Sequence, residues 1–326
     1  MNSKVSAITI PQRIVLAPLA GFTDAPFRLL CREGGADLTY TEMVSAAGLA
    51  HGSSPTRHLM EILPGEGAVG CQIFGAKETD VAFAARQIPE HFTELNLNAG
   101  CPMIKVTREG AGAKLIENPQ LIYRLIKAMK ENSPLPITLK TRLGPHPRST
   151  NIFEIVDAAE KAGACGLVVH ARYTSQMHGG EVHYDTLAEV VRRANVPVTG
   201  NGSVTDAASL TRMAKTGVAA VMIGRAALAD PAIFARLKGA TDLADDYPHG
   251  SALCRRHLKH ILEFRELLAA KYPHDHIPGT DGFASVKMHT HLFRYFSGRP
   301  GAAALRARLN TVRTLTEIND IIRNYD

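Results

Sequence analysis

The sequence predicts a (β/α)8 TIM barrel followed by a small all-helical C-terminal domain, and three observations predict it. Eight short runs rich in β-branched and apolar residues fall within the first 240 residues, and amphipathic helical patterns alternate with them. After residue 240 the composition changes, and TDLADDYPHGS leads into helical stretches alone. Strand and helix repeated eight times call for a parallel sheet, and closing it into a barrel removes its edges. A doubly wound sheet is the alternative, but no GxGxxG turn follows the first run.

The strands are expected at 13–17, 38–42, 69–74, 94–98, 136–141, 166–170, 196–199 and 219–223. They read as apolar rather than alternating, as strands covered on both faces do. Helices are expected at 26–33, 80–88, 119–130, 152–162, 187–194 and 206–215, several opened by Asp or Asn and closed near Gly, the residues that satisfy helix ends. Residues 1–240 thus form a barrel and 241–251 a linker. Residues 252–326 form a helical domain, with helices near 253–271, 283–296, 302–309 and 315–323.

Composition narrows the function. With 326 residues, 45% hydrophobic and 21% charged, the chain is globular rather than disordered or fibrous. Its five cysteines are odd in number and form no CxxC pair, so neither a disulfide framework nor a zinc ribbon is expected. A reducing cytoplasm is the expected location. Cys31, Cys71, Cys165 and Cys254 are expected to be small buried hydrophobes. No apolar stretch is long enough to span a bilayer, so no membrane partner is expected. The pairs His257/His260 and His289/His291 lack a third ligand pattern, so no metal is expected.

Charge is unevenly distributed. From residue 251 on, 12 Lys and Arg face 7 Asp and Glu, so the tail holds five of the six net positive charges. Such a module suits a polyanion such as nucleic acid, with a solvated basic face as the plain alternative. The candidate cations are Arg255, Arg256, Lys259, Lys287, Arg294, Arg299, Arg306 and Arg308.

In a barrel of this type chemistry collects where strands end. Here the expected strands end near Gln72, at Asn98 before Gly100-Cys101-Pro102, at Lys140 and Arg142, at His170 and Arg172, at Asn201-Gly202 and at Gly224-Arg225. Singly, each reads as a cap or a turn. Together they put donors and Gly-rich turns around one mouth, which implies a large anionic cofactor. Lys140 suits the N1–C2=O edge of a flavin, which gains negative charge on reduction, while the turn amides and Arg225 suit a phosphate. These are the demands of FMN, although a sugar phosphate would satisfy the phosphate half alone. Cys101, in a loop shaped by Gly and Pro and with a reference pKa of about 8.5, suits proton delivery to a carbon.

The runs LAPLAGFTDAPFR (16–28), LNLNAGCPMIKV (95–106), ITLKTRLG (137–144), VVHAR (168–172), VTGNGSVTD (198–206) and AVMIGRAAL (220–228) resemble the tRNA-dihydrouridine synthases, most closely the bacterial B-type branch. The resemblance implies an enzyme that reduces D-loop uridines of tRNA with FMN and NADPH (or NADH), and a monomer is expected. It further implies that Cys101 is the general acid at uracil C5, and that Pro18, Leu19, Ala20, Gln72, Lys140, His170, Asn201, Gly202, Ser203, Gly224 and Arg225 contact FMN. Asn98 and Lys105 would face the flipped uracil, with Arg172 near the substrate. Two other readings compete. An FMN-dependent dihydropyrimidine or dihydroorotate-type dehydrogenase has no use for the basic tail, and a non-catalytic tRNA-binding protein has none for Cys101, Lys140 and Arg225.

Overall fold

The computed structural model describes residues 13–296 and 302–324. Its strands are β1 (Ile14–Leu16), β2 (Thr39–Tyr40), β3 (Val44–Ser45), β4 (Val69–Phe74), β5 (Glu94–Ala99), β6 (Ile137–Arg142), β7 (Gly166–His170), β8 (Val198–Asn201) and β9 (Ala220–Ile223). All pairings are parallel, in the order β1-β9-β8-β7-β6-β5-β4-β2. Leu16 N donates to Leu38 O at 2.9 Å and Asp37 N to Ile14 O at 3.0 Å, which joins β1 to β2 and closes the ring. The two-residue β3 continues beyond β2 along the same neighbour, β4, so the pair makes one interrupted strand of an eight-stranded barrel.

Around the barrel lie α1 (Ala25–Glu33), α2 (Ala46–Ala50), α3 (Ser54–His58), α4 (Glu78–Gln87), α5 (Ile104–Thr107), α6 (Pro119–Asn132), α7 (Ile152–Lys161), α8 (Tyr184–Arg193), α9 (Ala207–Ala214) and α10 (Ile233–Leu237). Local chemistry sets their starts. Asp24 caps α1 by accepting from Phe27 N at 3.2 Å, Asn118 precedes the Pro that opens α6, and Asp206 forms a reciprocal box with Ser209 at α9. The short α2, α3, α5 and α10 are elements the sequence reading lacked, because four or five residues are too few to show a helical period.

The strands do alternate, contrary to expectation. In β5, Leu95 and Leu97 join the outer core under the helices, so Glu94, Asn96 and Asn98 point into the barrel. By the same parity Gln72, Thr138, Lys140, Arg142 and His170 face inward. On the opposite side, Val15, Ala17, Leu38, Tyr40, Val168 and Met222 fill the interior as a separate apolar cluster. The barrel is therefore apolar along one wall and polar along β4 to β6.

Residues 241–245, expected as linker, form the helix α11 (Thr241–Asp245), and Tyr247 Oη donates to Leu30 O at 2.9 Å, which ties the segment to α1. The tail comprises α12 (Gly250–Lys271), α13 (Thr280–Tyr295), α14 (Ala302–Leu309) and α15 (Leu315–Arg323). It docks through charge pairs: Arg256 with Glu33 at 2.9 Å, Lys271 with Glu61 at 2.8 Å, and Lys287 with the buried Asp24 at 2.9 Å. Beside the last pair, His291 stacks on Phe27 with centroids 4.8 Å apart and meets His257 edge-on at 4.5 Å. Burial raises the tendency of Asp24 to hold its proton, but Lys287, His291 and His257 outweigh it and bring its pKa to about 2.

This docking makes stability depend on pH. Burial pushes the His291 imidazole down to about 4 against the opposing pull of Asp24, and burial followed by His291 lowers His257 well below its ordinary 6.5. The unfolded chain therefore takes up protons below about pH 6.5 that the folded chain refuses until about pH 4. Stability is complete above that window and declines as pH falls through it. His291 alone is expected to lower the unfolding free energy by about 2 kcal/mol between pH 7.5 and pH 5. The carboxylates of Glu33 and Glu263 overcome burial to raise His260, which acts in the opposite direction, so the comparison needs a variant. Urea unfolding at the two pH values should show a smaller difference in His291→Phe than in the wild type.

Candidate active site

The loop after β5 is built around Cys101. Asn98 Oδ1 accepts from Gly100 N at 3.1 Å and from Cys101 N at 3.0 Å, a side chain standing in for a turn of backbone. The amide nitrogen of Asn98 donates to Gln72 Oε1 at 2.8 Å and to Met43 Sδ at 2.9 Å, so both ends of this amide are committed within the protein. From the other side Arg142 Nε donates to Gly100 O at 2.8 Å. Gly112, with φ at +60°, lies where a Cβ would stand 2.6 Å from Cys101 O and 2.7 Å from Val106 Cγ1. The loop is thus held from three directions.

Partial burial raises the Cys101 thiol above its ordinary value, and the Met103 backbone, Lys140 and Arg142 offset this only in part. The group stays a thiol at neutral pH. In that state it is suited to giving up a proton rather than to acting as a ready nucleophile.

Cations dominate the rest of the mouth. Burial, followed by Arg142, pushes Lys140 down to about 7, and Lys140 Nζ has one long contact, 3.4 Å to Asn201 Oδ1. Three arginines are held by backbone carbonyls of one loop. Arg142 Nη1 donates to Tyr173 O at 3.2 Å and Met177 O at 2.6 Å, Arg172 Nη2 to Gly180 O at 2.7 Å, and Arg225 Nη2 to His178 O at 2.8 Å. Burial and then Lys140, Arg142 and Arg172 keep His170 neutral. Its Nε2 lies 3.3 Å from Arg172 Nη1, so that nitrogen presents its lone pair and Nδ1 carries the proton. Beside it, Gly202 (φ +144°) and Ser203 (φ +49°) form a turn whose backbone only Gly adopts without strain at the first position.

A donor-rich mouth with a protonated thiol is a site for an anionic ligand and a proton transfer. Comparison with known proteins agrees. The family model for dihydrouridine synthase (Dus) matches residues 15–324. The chain belongs to the dihydrouridine synthase family. It is 34% identical over 247 residues to the tRNA-dihydrouridine synthases B of Klebsiella pneumoniae and of Escherichia coli K12, covering 75% of this chain and 77% of theirs. The same enzyme of Yersinia pestis is 34% identical over 237 residues, covering 72% of this chain and 74% of its own. Among solved structures, histamine dehydrogenase from Rhizobium sp. 4-9 matches with a TM-score of 0.51 at 13% identity, covering 78% of this chain and 50% of that one, a likeness of fold alone. A member of this family is an oxidoreductase.

Within this family member, the expected site residues fall as follows. Gln72, Asn98, Cys101, Lys140, His170, Asn201, Gly202, Ser203, Gly224 and Arg225 gather at the mouth, with Pro18 and Leu19 half-buried at its rim and Ala20 exposed. Lys105 is exposed one turn beyond Cys101, free to reach outward. Arg172, expected near substrate, is buried, and its guanidinium is taken up by Gly180 O, Ser203 Oγ and His170. Cys165 corrects the expectation of burial: it precedes β7, is exposed, and its Sγ donates to Ile137 O at 3.3 Å. Among the described residues no group of three or more His, Cys, Asp or Glu could hold a metal ion, and no helix is long and apolar enough to cross a membrane.

The sequence reading noted Arg142 without a role and passed over Asn96, Thr138 and Glu94. The alternation in ELNLNA was the signal available for Glu94 and Asn96, and that in ITLKTR for Thr138.

Gly112→Ala is expected to displace the Cys101 loop, because both close contacts involve backbone or a buried side chain and the φ is strained for Ala. We expect a loss of about 1–3 kcal/mol in thermal unfolding, together with altered Cys101 alkylation by iodoacetamide.

Proposed function

We propose that the chain reduces uridines of tRNA to dihydrouridine, with FMN at the barrel mouth and NADPH (or NADH) as the hydride source. The observation that supports this best is a thiol held protonated in the same ring of residues as a cluster of cations. Lys140, Arg142, Arg172 and Arg225 repel one another, and among the described residues none of them is paired with a carboxylate. Such a cluster fits an anionic flavin and its phosphate. Lys140 and Asn201 would hold the ring edge, the Gly202–Ser203 and Gly224 turns and Arg225 the phosphate, and Gln72, His170, Pro18, Leu19 and Ala20 the remaining surface. When bound, the flavin supplies hydride to C6 of the uracil ring. Cys101 holds the proton for C5, Lys105 contacts the extruded base from the rim, and Asn98 orders the loop that carries the thiol. A uridine inside folded tRNA reaches such a mouth only when flipped out of its stack.

The tRNA substrate comes from the names of the relatives, and the basic tail supports it. Residues 252–326 would grip RNA phosphates while residues 1–240 do the chemistry, in the cytoplasm and as a monomer. Fewer cations serve this than the charge count implies. Lys287 and Arg256 bind the barrel, and Lys259 lies 3.7 Å from Glu263. Arg294 lies 4.6 Å over the Phe22 ring at the rim, and Arg308 is exposed. Arg299 and the Arg306 side chain lie outside the described residues.

Mass mapping of tRNA incubated with the purified protein, FMN and NADPH tests the reading, since unchanged uridines would refute it. Cys101→Ala is expected to keep its FMN and its NADPH-driven flavin reduction while losing about 10²–10⁴-fold in dihydrouridine formation. Lys140 yields a second prediction. With its pKa at about 7, the amine is largely neutral at pH 8, and an anion beside it restores the proton. FMN titrated into the apoprotein at pH 8 should therefore draw in close to one proton. Calorimetry in two buffers of different ionisation enthalpy measures it, and affinity should fall as pH rises further.

A further inference from the structure

A continuous chain of side-chain hydrogen bonds runs inside the barrel from the first residue of β5 to the Cys101 loop. Tyr40 Oη and Thr138 Oγ1 each donate to Glu94 Oε1 at 2.6 Å. Asn96 Nδ2 donates to Thr138 Oγ1 at 2.8 Å, and Gln72 Nε2 donates to Asn96 Oδ1 at 2.7 Å. Asn98 Nδ2 donates to Gln72 Oε1 at 2.8 Å, and Asn98 Oδ1 receives the two loop amides. Register explains the path, because Asn96 stands opposite Gln72 on β4 and Thr138 on β6.

We infer that Glu94, Thr138 and Asn96 are positioning residues for the Cys101 loop, because a carboxylate at the foot of this chain dictates which way every amide above it faces. The argument is one of proton counting. A carboxylate has no proton to donate, so Thr138 must give it its only one and can then only accept. Asn96 must therefore turn its NH2 toward Thr138 and its oxygen toward Gln72. Gln72 must turn its NH2 toward Asn96, and Asn98 its NH2 toward Gln72, which leaves the Asn98 oxygen for Gly100 N and Cys101 N. Reversing the chain would set an NH2 group against two backbone N–H groups, with no acceptor for either. An amide is nearly symmetric in shape, so packing alone does not choose between its two orientations. The acid does, from a site that touches neither Cys101 nor the loop amides.

The inference rests on the proposed reduction only for its kinetic readout. Thr138→Val keeps the shape of the side chain and removes the acceptor for Asn96, while Thr138→Ser retains it. Glu94→Gln supplies an NH2 that can donate to Thr138 and so frees the polarity by a second route. Tyr40→Phe removes a hydrogen bond to the same carboxylate without touching the chain. In the full-length flavin-loaded protein, Thr138→Val and Glu94→Gln are each expected to speed alkylation of Cys101 by iodoacetamide about three- to tenfold, read by peptide mass spectrometry. The same variants should speed amide hydrogen exchange at Gly100 and Cys101. Their kcat for uridine reduction should fall by about three- to tenfold, with KM for tRNA unchanged. Thr138→Ser and Tyr40→Phe should match the wild type at Cys101.

Wild-type alkylation and exchange in both Thr138→Val and Glu94→Gln would overturn the inference. So would Tyr40→Phe or Thr138→Ser reproducing the Thr138→Val change, since volume or general stability would then be the cause. A wild-type protein that forms no dihydrouridine would count against the proposed function, while the alkylation and exchange results would still decide the role of the chain.

Discussion

Lys140, Arg142, Arg172 and Arg225 occupy one end of the barrel with no carboxylate among the described residues to offset them, and the surrounding structure is arranged to tolerate this repulsion. It does so by giving the guanidinium groups neutral acceptors. The carbonyls of Tyr173, Met177, His178 and Gly180, all on the loop after β7, fix the arginines in place and leave their charge uncancelled. A guanidinium keeps its proton under such crowding, whereas a buried ammonium does not. Arg142 accordingly drops only to about 10, through burial, while Lys140 falls to about 7. One member of the cluster is thereby left able to respond to a ligand.

The fold was largely legible in the sequence, because each parallel strand must bury an apolar face under the helices and each must be followed by a crossover. Runs such as VGCQIF and GLVVH therefore announce themselves. The interrupted strand made of Thr39–Tyr40 and Val44–Ser45 was harder to delimit, as were the single-turn helices beside it, because neither presents a period. At the site, residue types at strand ends were enough to single out Cys101, Lys140 and Arg225. Their connections were not legible. That Arg142 grips the Cys101 loop while Arg172 grips Ser203 depends on the stagger between neighbouring strands, which closure of the barrel sets and composition does not reveal.

The tail shows the same limit in another form. A count of Lys and Arg treats Lys287 as one more surface charge, yet it is the partner of buried Asp24, the residue that also caps α1. The cap, the ion pair and the His257–His291 contact fall at one point where barrel and tail meet. Phe22, under Arg294, links that point to the mouth through the loop after β1. The docking of the tail and the rim of the mouth therefore share residues.

The thiol depends on a balance between opposing effects. Two cations beside Cys101 favour the thiolate, as they do in enzymes that need a nucleophilic sulfur, and here partial burial outweighs them. The loop is held inward by Asn98 on one side and Arg142 on the other, and Gly112 permits the close approach. That Cys101 keeps its proton is thus a consequence of how closely its backbone is held, more than of which charges lie nearby.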